Sequence, residues 1–426
     1  MLCLAVTTLR AGSVAIIGAD IHTLGDQGSV RGGTVVIEHG IITAIGTGVP
    51  PPPGASVIDG KGKVVTPGLF DAMGRLGLTE ISLEASTVDY QRQGRHGNAS
   101  FDISGAINPG STLIGVARAE GVTRAMVAPE AWLDDEPGSV SHPISGLGTV
   151  ISLGSPTRFV VQRAAAMFAT LGSPGGSLDG GSRARALTTL DHALIDAADY
   201  RDHREAYDQR ARRDYSVGKT DLDALGRVLA REIPLVVTVN RASDILAVIE
   251  LAERHRIRLI VTGAAEGWIV AERLAASATP VILEPLNNLP SSFDALNASL
   301  ENAARLNSAG VKVAIVQTNS HNVGNVKQMA GNAVARGLPW IAGLRAITVV
   351  PAEIYGLAEN AGRLLVGNPA DLVVWDGDPL EVTSFAETVF IGGQEVSRES
   401  RQKLLRDRYL EAPGAFPRAY QNPTGR

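Results

Sequence analysis

From residue 64 onward, short apolar runs alternate with longer segments of helical periodicity, and this alternation constrains the fold more than any other feature. The order of strand and helix is typical of βα units on a parallel sheet. Val236-Val237 and Ile260-Val261 are apolar on both faces, as expected for strands between a filled lumen and a jacket of helices. The pattern predicts an α/β fold with a (β/α)8 barrel. The strand candidates are residues 64–66 with 69–70, 123–127, 149–153, 235–239, 258–262, 280–283 and 311–316.

The two ends of the chain share a different pattern. Residues 13–65 alternate apolar and polar positions between turn signals, and residues 358–397 repeat this rhythm. We therefore expect both ends to build one small β-sandwich beside the barrel. The predicted domains are 1–65 and 358–397 for the two parts of the sandwich, 66–357 for the barrel and 398–426 for a tail or short docking helix.

Composition excludes several classes of protein. Lys and Arg number 39 against 44 Asp and Glu, and this acidic balance argues against nucleic-acid binding. No apolar run reaches the roughly 18–20 residues of a membrane helix. Cys3 is the single cysteine, so neither an internal disulfide nor a cysteine-based zinc site is expected. We expect a soluble protein, with the choice between cytoplasm and periplasm open.

Several scaffold motifs together resemble the amidohydrolase superfamily, the metal-dependent barrel hydrolases and deaminases, and in particular its members similar to imidazolonepropionase. The resemblance covers residues 13–395 and implies the barrel-plus-sandwich fold and hydrolysis at a metal centre. It rests on GTVVI at 33–37, VIDGKG at 57–62, VTPGLFDA at 65–72, AEGVT at 119–123, AGLRAIT at 342–348 and GRLLVGNPADLVVWDGDP at 362–379.

The metal ligands that this resemblance implies are replaced. The superfamily places a His-x-His pair on the first barrel strand, further histidines on strands five and six and an aspartate on strand eight. Thioether, hydroxyl and amide groups are weak zinc donors, and an arginine repels a cation. We therefore expect a degenerate metal site, with no metal and no cofactor. The positions concerned hold Met73, Arg75, Thr238, Asn240, Thr262 and Asn319.

Arg75 is the most informative of these replacements, because a guanidinium at a barrel mouth must be paired or solvated. One interpretation is that Glu80, Glu266 or Glu284 neutralises it. The other is that it binds a small anionic ligand at the carboxyl face of the barrel, where barrel enzymes carry their sites.

Two functions remain open. The first is a non-hydrolytic protein that binds a ligand or assembles, either with itself or with an intact amidohydrolase relative. The second is an active hydrolase of C–N bonds, including dipeptide-like ones, with a relocated or metal-independent site. The catalytic candidates for that second function are Arg75, Glu266, Asn319 and His321.

Overall fold

The computed structural model describes residues 12–92, 98–132, 141–286, 290 and 292–410. Cys3 and the end of the predicted tail, 411–426, lie outside these ranges. The strands are β1 Val14–His22, β2 Ser29–Glu38, β3 Ile41–Gly46, β4 Ser56–Asp59, β5 Val64–Pro67, β6 Leu69–Gly74, β7 Gln91–Arg92, β8 Val122–Val127, β9 Glu130–Ala131, β10 Ile144–Ser152, β11 Val160–Thr170, β12 Leu235–Val239, β13 Leu259–Gly263, β14 Val281–Leu283, β15 Val313–Ile315, β16 Leu372–Trp375, β17 Ala386–Ile391 and β18 Gln394–Glu395.

Eight α-helices of the described residues lie between barrel strands along the chain, and four follow the last barrel strand. Short 3₁₀ helices precede some of them, at Gly267–Val270 and Ser320–Asn325. The α-helices are α1 Thr112–Ala119, α2 Gly172–Leu178, α3 Arg183–Asp202, α4 Arg204–Asp208, α5 Lys219–Leu229, α6 Ala242–His255, α7 Ala271–Ala276, α8 Asn302–Ser308, α9 Val326–Ala335, α10 Trp340–Ala346, α11 Val349–Ile354 and α12 Arg401–Leu410.

Both ends of the chain form one eight-stranded sheet, as the sequence predicts. Its order is β18-β17-β16-β5-β1-β2-β3, with β4 paired to β1. His39 and Gly40 turn the chain from β2 into β3, and both have positive φ, 53° and 86°. Such a two-residue turn matches the right-handed twist of the two strands. One buried face of this sheet carries Ile16, Val35 and Phe390, which pack in a core of their own.

The second eight-stranded sheet is the barrel, in the order β15-β14-β13-β12-β11-β10-β8-β6. It confirms the predicted barrel with one difference, because β10 runs antiparallel to both β8 and β11. The connection from β10 to β11 spans residues 153–159, which is too short for a helical crossover. A hairpin therefore supplies the third and fourth strands of the barrel.

A filled lumen holds the barrel together. Each of its eight strands contributes to one buried apolar cluster, which includes Phe70, Phe168, Val236, Ile260 and Ile282. The helices pack against the opposite face of the sheet in a separate, larger cluster. The strands are therefore buried on both faces, which explains their continuous apolar runs.

Buried polar contacts join the two sheets. Asp371, just before β16, pairs with Arg124 on barrel strand β8 at 2.8 Å and accepts a hydrogen bond from Gly392 N. Within the first sheet, the Trp375 indole N–H donates to Thr66 Oγ1 at 2.9 Å between the neighbouring strands β16 and β5, and the tryptophan is fully buried. The Arg124–Asp371 ion pair is therefore the contact that ties the first sheet to the barrel, and it is largely buried.

One helix is shorter in the structure than the apolar periodicity of the sequence predicts. A helix over 293–309 is expected from the sequence, but the structure has only α8, and Phe293 is 82% exposed. The predicted tail contains α12, which ends at Leu410. None of the helices in the described part of the chain is both long enough and apolar enough to cross a bilayer.

Candidate functional site

A cavity of about 280 Å³ opens at the carboxyl ends of the barrel strands. This is the end of the barrel where loops following the strands converge, and where barrel proteins carry their sites. Most of the side chains that line it are small, carry a hydroxyl or are apolar, and Arg75 and Glu130 form the one ion pair among them. The residues that line it are Met73, Gly74, Arg75, Ala128, Pro129, Glu130, Ser145, Phe168, Ala169, Thr170, Pro174, Thr238 and Thr318.

A row of threonines crosses the floor of this region. Thr170, Thr238 and Thr262 are direct partners in the register of β11, β12 and β13. Each lies two residues after a side chain of the lumen cluster, and alternate residues of a strand share a face. The three hydroxyls therefore face the lumen on adjacent strands. Thr238 and Thr170 reach the cavity, whereas Thr262 is 2% exposed.

The end of β6 supplies Met73 and Arg75. The pairing of β6 with β8 loses its regular register between Asp71 and Gly74. This irregularity lets Ala72 and Met73 both contact the lumen cluster, which a regular strand with a period of two would prevent. Met73 and Arg75 consequently both line the cavity.

Asp71, which the sequence reasoning did not single out as a candidate, is the most unusual ionisable group of this strand. It is fully buried, and while Oδ1 accepts a hydrogen bond from Met73 N at 3.3 Å, Oδ2 has no partner among the described residues. Burial raises the pKa of Asp71 to about 7, against the smaller opposing effect of the Met73 hydrogen bond. The buried Tyr355 hydroxyl donates to Ala72 O at 2.8 Å, and burial followed by the nearby Asp71 raises its pKa.

Arg75 is paired, but not with any carboxylate expected from the sequence. Its Nη2 lies 2.5 Å from Glu130 Oε2, its Nη1 donates to Tyr90 Oη at 3.3 Å, and its guanidinium lies 4.2 Å from the centre of the Tyr90 ring. The expectation that Glu80, Glu266 or Glu284 neutralises it is wrong. Glu130 lies on the short strand β9, three residues after the end of β8, and lines the cavity beside Arg75.

The three expected carboxylates have other partners. Glu80 accepts hydrogen bonds from Thr112, and Glu284 accepts one from Thr318. Glu266 is 5% exposed and accepts from Ala242 N at 3.0 Å and from both the backbone and side-chain N–H groups of Asn297. Glu266 therefore ties two loops together and does not line the cavity, which argues against the predicted catalytic role.

The remaining candidates lie outside the cavity. Asn319 is exposed, and its Oδ1 accepts from His321 N at 3.0 Å at the start of a 3₁₀ helix. His321 is also exposed. Asn240 Oδ1 faces Ala265 N at 3.4 Å and joins the end of β12 to the loop after β13. Of the four predicted catalytic residues, the structure places Arg75 alone in the lining of this cavity.

The residues present do not fit the divalent metal that the resemblance implies. Within the described ranges, no group of three His, Cys, Asp or Glu side chains is arranged to hold a metal ion. The donors around the cavity are hydroxyls, a thioether and one carboxylate already paired with Arg75. A zinc centre takes three or four imidazole, thiolate or carboxylate ligands, and this donor set supplies too few.

Comparisons with known proteins identify the family of this chain. The model of the amidohydrolase family matches residues 183–396, and the chain belongs to this family. An amidohydrolase from Thermotoga maritima MSB8 superposes with a TM-score of 0.78 at 25% identity, covering 91% of this chain and 100% of that one. Molinate hydrolase, at 16% identity, shares the fold alone, with a TM-score of 0.57 over 96% of this chain and 98% of that one.

A curated relative matches a short part of the chain. Amidohydrolase tasK from Hapsidospora irregularis is 38% identical over 72 residues. The match covers 17% of this chain and 7% of that protein, so the chain spans a small fraction of its length.

Proposed function

We propose that this amidohydrolase-family protein binds a small ligand with an anionic group at the barrel mouth, without a metal ion and without hydrolysing it. The single observation that carries the proposal is the cavity itself. A guanidinium and a row of threonine hydroxyls line the place where the family's imidazole ligands are expected. These groups recognise anions and amides by hydrogen bonding and have little affinity for a divalent cation.

The hydroxyls of the cavity are suited to binding rather than to attack. A serine or threonine becomes a nucleophile when a neighbouring base removes its proton. Among the described residues that line the cavity there is no histidine or lysine, and the one carboxylate, Glu130, is held by Arg75. Ser145, Thr170 and Thr238 therefore lack an adjacent free base.

Arg75 supplies the electrostatic part of recognition. The Arg75 and Glu130 side chains are 32% and 43% exposed, so the pair contributes at most about 1 kcal/mol to stability. A ligand carboxylate can take the place of Glu130 and meet the guanidinium in a two-point contact. The Tyr90 ring keeps the guanidinium in position during this exchange.

Ligand binding is tested with a panel of N-acetyl amino acids and short dicarboxylates, by thermal shift followed by calorimetry. We expect binding that Arg75→Met and Thr238→Val weaken and that EDTA leaves unchanged. Arg201→Met is the matched control, because Arg201 is an exposed arginine paired with Asp202 away from the cavity. Binding lost with EDTA and restored by zinc would refute the proposal.

The same titrations test the alternative of a metal-independent hydrolase. Product formation from the N-acetyl compounds, insensitive to EDTA and abolished in Arg75→Met, would replace the binding proposal with that activity. We expect no product above the rate of the buffer.

We further propose that the protein assembles, with itself or with an intact relative, through its carboxyl face. Leu83, on the loop after β6, is 97% exposed, and Phe293, on the loop after β14, is 82% exposed. Apolar side chains this exposed at one end of a barrel favour an interface. Light scattering after size exclusion tests this: a monomer that Leu83→Ser and Phe293→Ser leave unchanged would contradict self-assembly.

A further inference from the structure

A second and larger cavity lies at the opposite end of the barrel. Its volume is about 520 Å³, and it is bordered by the starts of β12, β13 and β14 and by the ends of the helices that precede them. This is the amino-terminal face, away from the threonine row. The volume is within the range of pockets that hold small organic molecules.

The lining of this cavity is strongly basic. Arg231, Arg256, Arg258 and Lys312 contribute to it, together with Glu253 and Glu353. Both carboxylates already have cationic partners: Glu253 pairs with Arg273 at 2.5 Å, and Glu353 pairs with Lys312 at 2.7 Å and with Arg363. Arg273, Lys312 and Arg363 therefore neutralise the two carboxylates, and the charges of Arg231, Arg256 and Arg258 are left without an acidic partner in the lining.

Those three arginines have no carboxylate within ion-pair distance among the residues that the structure describes. Arg231 Nη1 donates to Arg256 O at 3.2 Å, and Arg258 Nη2 donates to Ile354 O at 3.3 Å. A guanidinium has five N–H donors, so most of these remain for water or a ligand. Arg258 is half-buried, and burial followed by the neighbouring Arg231 charge lowers its pKa.

Arg231 and Arg256 lie exposed at the rim of the cavity and Arg258 is half-buried, so the three like charges repel one another, and an anion bound among them relieves that repulsion. We infer that this cavity is a binding site for a small phosphate-bearing molecule, separate from the site at the barrel mouth. Guanidinium groups match phosphate oxygens with paired hydrogen bonds. Pro234, Ile257 and Pro280 in the lining offer apolar contact to the organic part of such a ligand.

The backbone of two of these arginines allows a clean test. Arg231 and Arg256 have φ of 61° and 55°, in the left-handed region that favours glycine. Replacing both with glycine removes two charges while relieving strain at each turn, so folding should be retained. Arg210, with φ of 57°, lies outside the cavity, and Arg210→Gly is therefore a matched control.

The experiment titrates the full chain with inorganic pyrophosphate by calorimetry at low ionic strength. We expect one site, weakened at least about tenfold by Arg231→Gly/Arg256→Gly and by the separate variant Arg258→Met, and unchanged in Arg210→Gly and Arg75→Met. Absence of binding, or equal loss in Arg210→Gly, would overturn the inference. Citrate is the second titrant: binding of citrate without pyrophosphate would overturn the assignment to phosphate.

Discussion

Asp71→Asn is the substitution with the most calculable consequence. Asp71 is fully buried, its Oδ2 has no partner among the described residues, and its pKa is raised from 3.8 to about 7. At any pH between these two pKa values, the folded state therefore holds a proton on Asp71 that the unfolded chain has already released. Stability from this group is fully present below about pH 4 and is lost as the pH rises through about 7.

The magnitude follows from the size of the shift. Three pKa units correspond to roughly 4 kcal/mol in total, and more than half of this falls between about pH 5 and about pH 8. Asparagine has the shape of the protonated acid and keeps an oxygen for Met73 N. We expect Asp71→Asn to be close to the native protein at the lower pH and more stable than it at the higher pH.

Urea unfolding of the native protein and of Asp71→Asn at about pH 5 and about pH 8 gives the difference between their free energies of unfolding at each pH. We expect this difference to change between the two pH values. Tyr355→Phe is the control, because the Tyr355 hydroxyl donates to Ala72 O beside Asp71 and burial raises its pKa, which keeps the hydroxyl neutral over this range. Its effect on stability should be the same at both pH values. If the free energies of unfolding of the native protein and of Asp71→Asn differ by the same amount at both pH values, the raised pKa of Asp71 is refuted.

Three further substitutions test the packing around the site and between the sheets. Gly74→Ala places a Cβ about 2.1 Å from Asp71 Oδ2, and we expect a loss of roughly 1–3 kcal/mol in urea unfolding. Arg124→Met leaves the Asp371 carboxylate buried without its cation, which should cost about 3 kcal/mol, while a loss below about 1 kcal/mol would show that the pair is solvated. Lys327→Met removes the donor to two backbone carbonyls and should lower the melting temperature at every salt concentration, whereas an effect that salt abolishes would contradict the buried contact.

Most of the barrel could be predicted because its strands carry local signals. Residues 235–239 are apolar except for Thr238 and lie between Pro234 and Asn240, and β12 has these bounds in the structure. β11 could not be found in this way, because Ala164, Ala165 and Ala166 favour a helix locally. Its strand conformation depends on pairing with β10 and β12, and such non-local contacts have no signal within the segment.

The family resemblance singles out Met73, Arg75 and Thr238 at the carboxyl ends of β6 and β12, and all three line the cavity. Glu130 was missed, although its position three residues after the end of β8 was an available signal. Thr170 was missed with its strand. Glu266 also follows a strand, but the turn directs its carboxylate to Ala242 and Asn297, which the spacing of residues does not reveal.

We propose that hydroxyl, thioether and guanidinium groups occupy the positions at which the amidohydrolase family holds its metal, so that this chain binds no divalent ion. The most direct measurement is elemental analysis of the purified full-length chain, prepared without chelator and then dialysed against zinc or manganese. We expect well below one ion per chain in both preparations. Close to one tightly held ion per chain, lost when Thr238 and Thr262 are replaced by valine, would contradict it.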